Sequence, residues 1–198
     1  MIIKEDVIIY KLNEIISYDK KLYYYNLAKE FVNSDNYYNR QKWTEKERID
    51  KAYRGFISEY IFQYYIKENW FESNNKIIFD WLSDDFSKKK DKYDVMINWK
   101  NFDIKSSKEP KPWSYSDYIS FMLEKRNFIL PLDQNKKDGI IQIMYNHNNE
   151  YVFIVWYVYT NTLCEVWTVK NLKVSSTWYQ NTYMLNLKYW NPIYELFN

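Results

Sequence analysis

The chain has 198 residues, with 28 Lys and Arg against 26 Asp and Glu, and it is 46% hydrophobic and 27% charged. That length supports one domain with a sizeable core, and that balance is typical of a folded chain rather than a disordered one. A single cysteine, Cys164, and a single histidine, His147, exclude an internal disulfide, a Cys-rich zinc site and a His pair.

Cysteine usage of this kind fits a reducing compartment, and a cytoplasmic protein is expected. The opening MIIKEDVIIYKLNEII carries charges inside its apolar stretch, so neither a signal peptide nor a membrane span is expected. The net charge of +2 does not announce a nucleic-acid partner, so any basic surface must be local. Large rings such as Trp81, Trp156 and Trp167 are read as core, Cys164 as a small buried hydrophobe, and His147 in the NHNN turn as a surface residue.

From residue 5 to residue 32 apolar residues recur at helical spacing (Val7, Tyr10, Leu12, Ile15, Ile16, Leu22, Leu27, Phe31), which predicts one or two amphipathic helices. The stretch NSDNYYN then breaks the pattern. Thr44-Glu45-Lys46-Glu47 has the capping-box form and predicts a helix start, followed by a buried stripe through Ile49, Ala52, Tyr53, Phe56, Tyr60 and Tyr64 to about Glu68. Glu59 lies on or beside that stripe.

Beyond Glu68 the period shortens. KIIFDWL, YDVMIN, FDIKSS, DGIIQIMY and EYVFIVWYVY are five strand candidates, with SKKKDK as a charged loop and a short helix starting at Ser116 or Asp117 and ending before Pro131. The tail from residue 165 reads as strand and helix pieces. This order predicts an α/β or α+β fold with a mixed central sheet flanked by helices. The expected organisation is a single domain, with a helical decoration at 1–43, a core at 44–160 and a C-terminal extension at 161–198.

Chemistry concentrates in the hairpin between the second and third strand candidates. With Asn98 opposite Asn101, Asp94 lies opposite Lys105 and Met96 opposite Asp103. Residues two apart on a strand share a face, so Asp94, Asp103 and Lys105 converge on one side while Val95, Ile97, Phe102 and Ile104 anchor the other. Two carboxylates so placed repel each other unless a cation sits between them, and a hard divalent ion suits that ligand set. A lysine beside such an ion is the combination used to hydrolyse phosphodiesters.

The sequence Gly55-Phe56-Ile57-Ser58-Glu59 on a helix, then Tyr93-Asp94-Val95, then Phe102-Asp103-Ile104-Lys105-Ser106-Ser107, resembles the core of the PD-(D/E)xK, or restriction-endonuclease-like, nucleases over about residues 44 to 160. Tyr93 stands where the motif's name has Pro, a position at which that Pro is frequently absent. The resemblance implies Asp94, Asp103 and Glu59 as ligands of Mg²⁺, with Mn²⁺ as a substitute, and Lys105 serving the attacking water. It implies a DNA endonuclease, with RNA as an alternative substrate and a homodimer as the form that cuts duplexes.

Ser106, Ser107, Lys108, Lys111 and Trp113 are the expected nucleic-acid contacts, Tyr115 and the lysines at 88–92 weaker ones, and Gln142 a supporting residue of the site. The rival expectation is a domain of the same fold that binds nucleic acid or protein without cutting.

Overall fold

The computed structural model describes residues 8–34, 44–80, 94–108, 127–131, 137–161, 168–173, 179–186 and 191–198. In chain order these form strand β1 (Ile8–Lys11), a single helical turn α1 (Leu12–Ile15), helices α2 (Tyr18–Ser34) and α3 (Glu45–Glu68), and strands β2 (Ile77–Phe79), β3 (Val95–Ile97) and β4 (Lys100–Lys108). Strands β5 (Asn127–Pro131), β6 (Gly139–Tyr145), β7 (Tyr151–Tyr159), β8 (Thr168–Lys173), β9 (Tyr179–Asn186) and β10 (Asn191–Pro192) follow, before a 3-10 segment at Ile193–Phe197. All five predicted strands from KIIFDWL to EYVFIVWYVY are present, as β2, β3, β4, β6 and β7.

The fold is mixed α/β, built on a curled sheet in the order β1-β7-β6-β4-β3-β2. Strands β2, β3 and β4 form an antiparallel meander, β4 runs parallel to β6, and β6 pairs antiparallel with β7. A parallel neighbour requires a long crossover, which here spans the residues between Lys108 and Gly139 and includes β5. A second sheet has the order β5-β9-β8. The short helix expected from Ser116 or Asp117 lies outside the described residues up to 126, and from Asn127 the chain is strand. The lysines at 88–92 and Trp81, Cys164, Trp167 and the Trp156 side chain likewise lie outside the described residues, whereas His147 is exposed in its turn as expected.

Helix α3 starts where the capping box predicts. The Thr44 hydroxyl accepts from the Glu47 amide at 3.3 Å, and the Glu47 carboxylate accepts from the Thr44 amide at 2.7 Å. The helix buries two faces rather than one stripe. Phe56, Tyr53 and Tyr60 meet Phe31, Tyr25 and Tyr24 of α2 through ring contacts, while Ile57, Ile61, Phe62 and Tyr65 are fully buried in the core that includes the sheet. Ser58 donates to or accepts from the Tyr145 hydroxyl of β6 at 2.8 Å, which fixes the sheet-facing side of the helix.

The first and the last of the described segments join this core. Ile8 to Lys11, read from sequence as part of a helix, pair instead with the edge of β7, and the Leu12 amide donates to the Glu150 carbonyl at 2.8 Å. The run Ile8-Ile9-Tyr10 suits an extended strand, and β7 offers it an unpaired edge. At the other end β10 pairs with the second half of β7, and Phe197 stacks on Phe71 at 4.1 Å between centroids and touches Phe62. The segments expected as decoration and extension therefore contribute to the same sheet and core as residues 44–160. Among the described residues no helix is long and apolar enough to cross a membrane.

Gly139, which opens β6, marks a close approach between strands. A β-carbon there would fall 2.6 Å from Cε1 of the buried Phe102 ring and 2.8 Å from the Val158 carbonyl oxygen. Neither neighbour can give way easily, so Gly139→Ala is expected to cost about 1–3 kcal/mol. Urea unfolding at fixed pH checks this, and an unchanged midpoint would mean that the Phe102 ring yields.

Candidate active site

The hairpin of β3 and β4 turns on Asn98 and Trp99, with Ile97 opposite Lys100, Met96 opposite Asn101 and Val95 opposite Phe102. Both turn residues have positive φ, 49° and 69°, the backbone of a two-residue type I′ turn. Asn98 tolerates that conformation and is pinned there. Its amide donates to the Lys76 carbonyl at 2.9 Å, its side-chain oxygen accepts from the Lys76 amide at 3.0 Å, and its side-chain amide donates to Asn75 at 2.6 Å. The pairing expected from sequence, Asn98 opposite Asn101, is thereby corrected by two positions, and Asp94 comes into register with Asp103 rather than Lys105. An even offset leaves the faces unchanged.

Val95, Ile97, Phe102 and Ile104 are buried toward α3, and Asp94, Asp103 and Lys105 occupy the opposite face. Asp94 is held by its backbone and its side chain: its amide donates to the Phe102 carbonyl at 3.0 Å, and its Oδ2 accepts from the Ile104 amide at 2.5 Å. Its carboxyl stands across the strand pair from that of Asp103 and feels its charge. Lys105 forms an ion pair with Asp103 Oδ2, and Lys137 Nζ lies 3.8 Å from Asp103 Oδ1.

Burial, and then the charge of Asp103, hold Asp94 well above the usual carboxylate range, with the Lys105 charge and the Ile104 amide offsetting only part of that. Burial alone would raise Asp103 as well. The Lys105 ammonium, hydrogen bonds with Lys105 and Asp94, and the charge of Lys137 override it and keep Asp103 below the usual range. Of the two carboxyls, Asp94 is therefore the more readily protonated.

The remaining expected site residues divide. Gln142, in register with Lys105, is buried on the site face and donates to the Ser107 hydroxyl at 3.2 Å and to the Ile143 carbonyl at 2.8 Å. Ser107 thus shares the site face. Ser106 and Lys108 alternate to the other face, where Lys108 Nζ approaches Asp50 at 3.9 Å and borders a cavity of about 460 Å³ between α2 and α3. Glu59 lies on the α2 side of α3, where its charge raises the pKa of Tyr24, so it is not brought to Asp94 and Asp103. Lys111, Trp113 and Tyr115 lie outside the described residues.

Sequence reading missed Lys137, which reaches the site from the turn before β6. Its only sequence signal is a lysine two residues before a strand, and nothing local says that β6 pairs with β4.

Among the described residues no group of three or more Asp, Glu, His or Cys side chains is placed to hold a metal. The two-carboxylate site nevertheless suits Mg²⁺, which takes one or two carboxylates and keeps much of its water. Two largely buried carboxyls side by side, one raised in pKa by the charge of the other, form a pair that a cation between them would stabilise. Compared with known proteins, the chain matches no family model, no curated protein and no solved structure.

The raised carboxyl has a consequence for folding. A group whose pKa is higher in the folded state favours folding while protonated, fully so below its unfolded pKa, and that contribution is lost as pH rises through the folded value. Asp94→Asn keeps a donor toward Asp103 without titrating. In EDTA, the variant should therefore gain stability relative to the parent as pH rises above the usual carboxylate range, read by urea unfolding at several pH values. A difference that stays constant with pH would show that Asp94 is already ionised.

Proposed function

We propose that the chain is a metal-dependent phosphodiesterase, an endonuclease acting on DNA, with the restriction-endonuclease-like core that its residues resemble. The observation that carries this reading is the contact between the Asp94 and Asp103 carboxyls, with Lys105 paired to Asp103 on the same face of a rigid hairpin. The order of helix α3, strand β3 with Asp94 just before it, and the strand bearing Asp103-Ile104-Lys105 supports it.

Asp94 and Asp103, with a backbone carbonyl of β4, would hold Mg²⁺ or Mn²⁺. Such an ion, when bound, polarises a phosphoryl oxygen and stabilises the departing oxygen. Lys105 is the more exposed partner of its ion pair, with its side chain 37% accessible against 9% for Asp103, so its ammonium can reach water at the mouth of the site. There it orients the attacking water. Val95, Ile97, Phe102 and Ile104 keep both strands from moving as it does so. Gln142 and Ser107 tie the same face of β4 to β6 beyond Lys105. Glu59, on the α2 side, has no part in this scheme. Cutting both strands of a duplex calls for two such sites, most simply a two-fold dimer.

The placement of Glu59 also favours a second reading, in which a two-carboxylate site is the remnant of a catalytic one and the domain binds nucleic acid or protein without cutting. That reading requires binding that ignores Mg²⁺ and the loss of Lys105. Supercoiled plasmid distinguishes the two. The purified chain is expected to nick it with Mg²⁺ and to stop with EDTA, and Asp103→Ala or Lys105→Ala is expected to slow nicking by about 10²-fold or more. Cleavage persisting in both variants would remove this mechanism, and absence of cleavage by the parent chain would leave the binding reading.

A further inference from the structure

We infer that Lys137 is a second cation of the site, one that holds a non-bridging oxygen of the phosphate under attack. The inference rests on the nuclease reading and adds a residue that reading does not use. Lys137 is not a loosely tethered surface lysine. Its carbonyl accepts from the Thr160 hydroxyl at 2.5 Å, and the next residue, Asp138, is clamped between two strands. The Asp138 amide donates to the Asn101 carbonyl at 2.8 Å, its carboxylate accepts from the Asn101 amide at 2.7 Å, and its carbonyl accepts from the Thr160 amide at 2.9 Å. Gly139 then enters β6 directly beside Phe102. The backbone of Lys137 is thus fixed between the start of β4 and the end of β7, and its side chain, only 15% exposed, points to Asp103.

The geometry of that contact separates Lys137 from Lys105. Lys105 takes Oδ2 of Asp103 at hydrogen-bonding distance or closer, whereas Lys137 faces Oδ1 from 3.8 Å, beyond a hydrogen bond. The two ammonium groups flank one carboxylate from different sides. Among the described residues the Lys137 ammonium makes this electrostatic contact and no hydrogen bond, so its three protons can take up a better acceptor that enters between them.

Charge decides what that acceptor is. Counting the groups gathered at Asp103, two carboxylates and two ammonium groups cancel when all are ionised, with Lys51 of α3, whose charge Lys105 opposes, left outside that count. A divalent cation then leaves an excess of two positive charges, which matches a phosphodiester in the course of hydrolysis, since a hydroxide equivalent has joined its single negative charge. Without Lys137 the excess is one, enough for the ground state alone. Lys137 is therefore placed to favour the transition state over the bound substrate, which acts on turnover more than on affinity.

A purely positional role, in which Lys137 only steadies Asp103 for the ion, makes a different prediction, and the Mg²⁺ dependence of single-turnover plasmid cleavage tells them apart. Lys137→Ala is expected to cut about 10²- to 10³-fold more slowly at saturating Mg²⁺, with half-saturation little changed. Lys137→Arg should recover most of the rate. Full rate regained by Lys137→Ala on raising Mg²⁺ overturns the inference, because Lys137 would then act only through Asp103. Should Lys137→Ala fail to fold, Lys137→Met, which keeps the packed stem, takes its place against Lys137→Arg. A slow Met variant beside an active Arg variant supports the phosphate contact, and equal rates overturn it. If Asp103→Ala and Lys105→Ala are dead while Lys137→Ala cuts at the parent rate, only the role of Lys137 falls. If all of them cut, the mechanism through Asp103 and Lys105 falls with it, and if the parent chain does not cut, the nuclease reading itself falls.

Discussion

The Asp94 and Asp103 carboxyls meet in a largely buried place, and most of what is distinctive in this molecule follows from holding them there. Like charges out of water are costly, so the pair is stable only with a proton, a cation or both between and around it. The chain answers with a raised pKa at Asp94 and two ammonium groups at Asp103. It also supplies the rigidity that stops the carboxylates from separating. The Ile104 amide grips Asp94, and behind the strands lies a wall of Val95, Ile97, Phe102 and Ile104 with almost no accessible surface.

That rigidity begins at the hairpin tip. Two successive residues in the left-handed region cost a non-glycine chain roughly 1 kcal/mol or more each. Asn98 recovers the cost through three hydrogen bonds to the turn that precedes β2, and Trp99 lies with the Lys76 ammonium 3.6 Å from its ring centroid. The turn thereby fixes the register of β3 against β4 and also docks β2 beside them. A turn one residue longer would change the parity of the pairing and move Asp94 to the apolar face.

Parity explains why the site was legible in the sequence even though the register was not. Reading Asn98 opposite Asn101 misplaces every partner by two, yet alternation along each strand still gathers Asp94, Asp103 and Lys105 on one face. The capping box at Thr44 and strands β2, β3, β4, β6 and β7 were readable because each signal is local. β1 was not, since Tyr10 falls at helical spacing from Val7 and only the open edge of β7 makes Ile8 to Lys11 a strand. Glu59 misled for a related reason. α3 has two buried faces, and a carboxylate beside one stripe can look to α2 as readily as to the sheet. Lys137 was invisible because its place depends on the parallel pairing of β4 with β6, across a crossover whose pairing no local pattern specifies.

The β6–β7 pairing shows how one strand can serve the core and the site at once. Gln142 pairs with Trp156, but Ile143 pairs with Ile154, so Val155 is an extra residue and β7 bulges. Before the bulge Val152 and Ile154 face the helical core; after it Tyr157 and Tyr159 do, an exchange of parity that a regular strand could not make. The shift falls at Gln142, the polar residue in register with Lys105, whose amide spends its donors on Ser107 and on its own neighbour's carbonyl. A buried amide must find such partners or destabilise the sheet. The irregularity and the polar side chain thus sit together beside the charged face of β4, while the apolar face behind it continues from Ile141 through Ile143 to Tyr145 without a break.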